Sequence, residues 1–156
     1  MPIVTFYQLD DSSQDAEQDM LNACSHLLLQ TVKKRKWATV LCTDKQQAEA
    51  VDEFVWQHPV DSFIPHNLIG EGPKQGTPAE ITWLGQTLNS RHTMINLSQS
   101  MIDNHRQYQH IIDFVPVEET EKQQARDRYK QYKLAGCTMQ FEKAQFTPVN
   151  QINESN

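Results

Sequence analysis

No apolar run in the 156 residues approaches the ~18 that a membrane-spanning helix needs, so none is expected. Cysteine is scarce: Cys24, Cys42 and Cys137 are odd in number, far apart and form no Cys-x-x-Cys pair. That excludes a disulfide framework and a zinc ribbon, and suits a reducing cytoplasm. Glycine is scarce as well, with five residues, and no Gly-x-Gly-x-x-Gly follows the first strand-like segment, which counts against a dinucleotide site. There is no Gly-x-Ser-x-Gly. None of the six histidines, His26, His58, His66, His92, His105 and His110, stands at metal-ligand spacing from a second His, Cys or acid. No metal, cofactor or catalytic residue is therefore expected. Positive charge is in the minority, 14 Lys and Arg against 20 Asp and Glu, for a net charge of −6. An acidic whole does not coat nucleic acid non-specifically, although a local basic stripe could still act. The opening Met1 to Tyr7 lacks the basic and long apolar regions of a signal peptide. What remains is a cytoplasmic globular protein, long enough to bury one core without a staple.

The period of the apolar residues alternates between strand and helix. Ile3 to Tyr7 is β-branched and aromatic and reads as a first strand. Ser12 and Ser13 offer a cap, and Ala16, Met20, Ala23, Cys24, Leu27 and Leu28 form one face of a long helix closed by Lys33 to Lys36. Trp37 to Cys42 reads as a buried strand. Thr43 and Gln46 have capping-box spacing for a second helix through Ala48, Val51 and Val55, stopped by Pro59. This β-α-β-α order predicts an α/β domain with a mostly parallel sheet flanked by helices. Residues 59 to 78 read as loop. Ala79 to Trp83, Thr93 to Leu97 and His110 to Val117 read as strands, Glu118 to Ala135 as a helix ended by Gly136, and Cys137 to Phe141 as an edge strand. The expected domain covers residues 1–145, with a polar, disordered tail over 146–156.

Gly70, Gly72 and Gly76 superficially suggest a phosphate loop. A phosphate cradle must open a helix, whereas Pro73 and Pro78 remove donors here and a strand follows, so a shaped surface loop is the better reading. His66, between Pro65 and Asn67, reads as an organiser of that loop. The last predicted helix carries more information. Lys122, Arg126, Lys130 and Lys133 fall within an arc of about 80°. Ala125, Tyr129 and Tyr132 occupy the adjacent arc. Counting Arg128, five cations face one acid, Asp127, across this stretch. The bland reading is a solvated face; the sharper one is a dock for an acidic peptide with a hydrophobic anchor. A second candidate surface gathers Phe54, Trp56, Phe63, Ile64 and Pro65, with Trp56 off the apolar helix face. Aromatics flanked by prolines suit a protein–protein interface, unless Trp56 folds back over the helix end.

These segments carry a family resemblance. Trp56-Gln-His-Pro59, the string Ser62-Phe-Ile-Pro-His-Asn-Leu-Ile-Gly-Glu-Gly-Pro73, Asp113-Phe-Val-Pro116 and Ala125-Arg-Asp-Arg-Tyr-Lys-Gln-Tyr132 resemble the chi subunits of bacterial DNA polymerase III. The resemblance runs from the first strand to about Met139 and departs from the common pattern at Ile69, Lys74, Gln75 and Thr77. It implies a Rossmann-like fold and a non-catalytic accessory subunit of the replicative holoenzyme in the cytoplasm, at the nucleoid. It further implies two partners. The small psi subunit, in a 1:1 heterodimer, would meet Trp56 and Phe63, with Ile64 and Pro65 beside them. The acidic C-terminal tail of single-stranded DNA-binding protein would meet Val115, Lys122, Arg126, Tyr129 and Lys130, with Lys133 completing the basic stripe. Contact with DNA would be indirect. The alternative, from fold alone, is a small nucleotide-binding enzyme on a Rossmann-like sheet; direct single-strand binding by the basic helix is a third reading, without evident aromatic platforms for successive bases.

Overall fold

The computed structural model describes residues 1–10, 15–57 and 64–146. Ser12, Ser13, Pro59, Phe63 and the tail from 147 lie outside the described residues. The elements are β1 (Ile3–Gln8), α1 (Ala16–Lys33), β2 (Ala38–Cys42), α2 (Lys45–Gln57), β3 (His66–Leu68), β4 (Ala79–Trp83), β5 (Thr93–Asn96), a 3-10 turn (His105–Gln107), β6 (His110–Val115), α3 (Glu119–Leu134) and β7 (Thr138–Lys143). Seven strands form one sheet in the order β3-β4-β2-β5-β6-β1-β7, with every pairing parallel. The α/β expectation holds, and no helix is long and apolar enough to cross a membrane among the described residues.

Alternation along the strands divides the core into two layers. Val40, Cys42, Ile81, Ile95, Ile112 and Phe114 pack with Leu27 and Leu28 of α1 and Val51 and Val55 of α2. On the other face Val4, Phe6, Leu41, Met94 and Ile111 pack with Ala125 and Tyr132 of α3. Odd and even residues of β1 thus serve opposite faces. Phe6 is sealed under α3, and Tyr7 looks toward the α1 side.

The helix starts differ in detail from the sequence reading. Asp15 caps α1, accepting from the Gln18 N–H at 3.0 Å. At α2 the pair is Asp44 and Gln47, one residue on from Thr43 and Gln46. Asp44 accepts from the Gln47 N–H at 2.9 Å, and the Gln47 side chain accepts from the Thr43 N–H at 2.7 Å. Short acidic side chains satisfy free helix donors as well as serine and threonine do. Glu118 caps α3 by accepting from Thr120 and Glu121 N–H, which holds its carboxyl below the ordinary value. Gly136, at φ +94°, follows the last turn as expected of a C′ glycine.

The described part of the stretch read as loop contains one strand, β3, in register with Ala79–Ile81. Three residues of mixed polarity leave no periodic signal; pairing with β4 makes the strand. The glycine loop after it runs into β4, as the missing helix start implied. It is braced by Asn67, whose Oδ1 accepts from Thr77 at 2.5 Å and whose side chain lies where a Cβ on Gly72 would fall. His66 organises the segment: Nδ1 is 2.7 Å from the Ile64 carbonyl and Nε2 is 3.1 Å from Asp52. The three cysteines are free and buried, and burial pushes the Cys24 and Cys42 thiols up, Cys42 to about 12.

Candidate peptide-docking cleft

The first half of α3 lies across the C-terminal ends of β6 and β1, and a cleft of about 290 Å³ opens between the helix, these strands and β7. Its floor is apolar: Phe6, Val115 and Ala125 are all buried. One wall is Tyr129, whose ring meets Phe6 edge-on with centroids 5.4 Å apart. The other is Phe141 on β7, 52 % exposed. Lys122, Arg126 and Lys130 form the rim. Five sequence-nominated residues, Val115, Lys122, Arg126, Tyr129 and Lys130, therefore meet at one site.

The cations on the rim are unequal. Lys122 lies 3.7 Å from Glu119, one turn back and largely exposed, so part of its charge is answered locally. Among the described residues no carboxylate pairs with Arg126 or Lys130, and both side chains stand in solvent. A guanidinium in this setting can grip an incoming carboxylate with two parallel hydrogen bonds, and the apolar floor excludes water from one side of the pair.

Two cations of the basic stretch are placed differently. Lys133 shares the arc but does not line the cleft; seven residues beyond Arg126, it sits about 10 Å further along the helix axis. Arg128, counted with the positive stretch, is no part of the exposed stripe. It is 4 % exposed, with Nε 2.9 Å and Nη2 3.0 Å from the two Asp113 oxygens and Nη1 donating to the Gln99 carbonyl at 2.8 Å. Burial pushes the Asp113 carboxyl up from its ordinary value, and Arg128 opposes that rise. Asn96 completes the network, donating to Asp113 at 3.3 Å and accepting from Ser98. Arg128 shares its arc with Ala125 and Tyr132, which was the available signal. Phe6, Gln8 and Phe141 also line the cleft and were not nominated, because only the pairing of β1 with β6 and β7 brings them there.

The second nominated surface is mixed. Trp56 is 64 % exposed on α2 and Pro65 is exposed, whereas Phe54 and Ile64 are buried at 6 % and 3 %. Ile64 therefore serves as scaffold under any docking face. Trp56 stands beside His66, ring centroids 6.4 Å apart. Among the described residues no group of three His, Cys, Asp or Glu side chains could hold a metal.

Fold and cleft together define a single-domain parallel α/β protein with a cation-rimmed apolar groove on one sheet face. A family model described as "DNA polymerase III chi subunit, HolC" matches residues 1–140. The chain is similar to DNA polymerase III subunit chi of Escherichia coli K12, 40% identical over 144 residues, covering 89% of this chain and 96% of that protein. It is also similar to subunit chi of Haemophilus influenzae Rd, 43% identical over 108 residues, covering 69% of this chain and 75% of the relative. The chain belongs to the family of DNA polymerase III chi subunits, accessory subunits of that polymerase. A solved structure, the C-terminal domain of the DEAD-box protein Dbp5, matches with a TM-score of 0.60 at 11% identity over 98% of both chains, a likeness of fold alone.

Proposed function

We propose that this chain is a bridging module, with the α3 cleft taking the acidic C-terminal tail of single-stranded DNA-binding protein and the Trp56 face taking the psi subunit. It would thereby join the clamp loader to coated template strand. The observation that carries the reading is the cleft: two cations without carboxylate partners among the described residues, Arg126 and Lys130, over a floor of Phe6, Val115 and Ala125. Such a site favours a short peptide that combines carboxylates with a hydrophobic end. The apolar anchor would contribute on the order of 2 kcal/mol by burial, and each exposed charge contact about 0–1 kcal/mol. Neither alone makes a specific complex; their superposition does. The exposed Trp56 is the natural anchor of the second face, since tryptophan at the centre of an interface typically accounts for about 2 kcal/mol or more.

The reading is tested by binding of the same species' single-stranded DNA-binding protein, intact and lacking its last residues, to the immobilised chain. Intact protein should bind and the truncated form should not. Equal binding of both would move the contact away from the tail. For the psi face, Trp56→Ala should weaken psi binding by at least ~2 kcal/mol while leaving thermal stability unchanged. Normal psi affinity in that variant would remove Trp56 from the interface.

A further inference from the structure

A second cavity, of about 510 Å³, lies on the opposite face of the sheet from the α3 cleft, between the end of α1 and the part of β6, β1 and β7 that α1 leaves uncovered. Its character is cationic. Lys34 and Lys36 enter from the end of α1 and the turn beyond it, Lys143 from β7, and the rings of His92 and His110 from the sheet. Among the described residues the only carboxylate lining it is Glu142, on the β7 wall with Lys143 beside it.

The hydrogen bonds inside prepare the imidazoles. The Thr5 hydroxyl donates to Gln140 Oε1 at 3.0 Å, so it must accept from His110 Nε2–H at 2.9 Å. That leaves His110 Nδ1 as a lone pair when the ring is neutral and as a second donor once protonated. His92 Nδ1 is engaged with the Thr93 hydroxyl at 2.8 Å, and its Nε2 meets no hydrogen-bond partner among the described residues. We propose that this cavity is a phosphate-binding site, held by Lys34, Lys36, His92 and His110, that takes the phosphate of a small anion, a nucleotide or the phosphorylated end of a nucleic acid strand. Two ammonium groups match the charge of a phosphate monoester, and the imidazoles add directional donors that a tetrahedral oxyanion can use from several sides.

The same cluster makes binding depend on pH. The groups facing the imidazoles are Lys34 and Lys36 from the α1 end, Tyr7 from β1, and Gln140, Glu142 and Lys143 from β7. Burial and Lys36 hold His92 below its ordinary value, and burial, His92 and Lys34 do the same to His110. An anion among them reverses the electrostatic part of that shift, so its binding draws protons onto the rings. Affinity should rise a few-fold from about pH 7.5 to about pH 6.5, and flatten below about pH 6 where the phosphate monoester itself gains a proton.

Histidine-ring NMR on the full chain, titrated separately with inorganic phosphate, a mononucleotide, and a single-stranded oligonucleotide with or without a 5′-phosphate, tests the site. At least one phosphate probe should move the His92 and His110 resonances, with affinity reduced tenfold or more in Lys34→Gln/Lys36→Gln. The probe that binds most tightly identifies the source of the phosphate. Both lysines are exposed, so the double variant should keep its melting temperature. His110→Gln, which preserves a donor toward Thr5, should bind with a weaker pH dependence. Unmoved histidine resonances with every probe, shifts that persist in the double lysine variant, or equal binding of acetate would each overturn the proposal. Because this face lies across the sheet from α3, none of these results bears on tail binding.

Discussion

Arg126 and Arg128 stand two residues apart on α3 and play opposite parts. Arg128 is sealed against the sheet, with its hydrogen bonds divided among Asp113 and backbone carbonyls. Arg126 sits at the rim of a cleft without a carboxylate partner among the described residues. The difference follows from 200° of helical rotation, which carries one side chain into the core and leaves the other at its edge. A buried guanidinium is committed to the fold; an exposed one beside an apolar floor keeps its charge for a ligand. The inward arc of Ala125, Arg128 and Tyr132 locks α3 in place, and the flanking arc of Lys122, Arg126 and Lys130 can then meet a peptide.

The two arcs should respond differently to substitution. Arg128→Ala has the largest expected effect, a loss of about 3–5 kcal/mol of stability in denaturant unfolding, because it leaves the Asp113 carboxylate buried without its partner. Arg126→Ala should change stability by no more than about 0.5 kcal/mol. Similar losses in both would erase the distinction. Phe141→Ala comes next: truncating the exposed wall should weaken binding of the acidic tail peptide by about fivefold, ~1 kcal/mol, measured by fluorescence anisotropy. An unchanged affinity would confine the peptide to the helix side of the cleft. The smallest effect belongs to Lys133→Ala, which lies beyond the cleft and should alter affinity less than twofold at physiological salt. A loss as large as that from Lys130→Ala would extend the site along the helix.

Much of this was legible in the sequence where a period or a specific motif existed. The first strand, three helices and the edge strand follow from hydrophobic spacing, and the cations of α3 from their spacing of three and four. The features that were missed depend on partners distant in sequence. β3 has three residues and exists through its pairing with β4. Arg128 looks like one more surface cation until Asp113, fifteen residues earlier, is brought beneath it. Phe141 becomes a cleft wall only because β7 lies beside β1, whose Phe6 forms the floor. Asp15 and Asp44 displaced the expected caps because several adjacent polar residues could each have served. The glycine loop was readable for the opposite reason: its prolines and the strand after it contradict a phosphate cradle locally, without any tertiary information.

The most direct test of the account is an anisotropy titration of the acidic tail peptide of single-stranded DNA-binding protein against the wild-type chain and Arg126→Ala, at low and at physiological salt. The account predicts that Arg126→Ala binds at least about tenfold more weakly, ~1.4 kcal/mol or more, and that wild-type affinity falls as salt rises. It also predicts that Arg126→Lys recovers only part of the loss, since an ammonium cannot reproduce a bidentate grip. Equal affinity of the wild type and Arg126→Ala at both salt concentrations would contradict it.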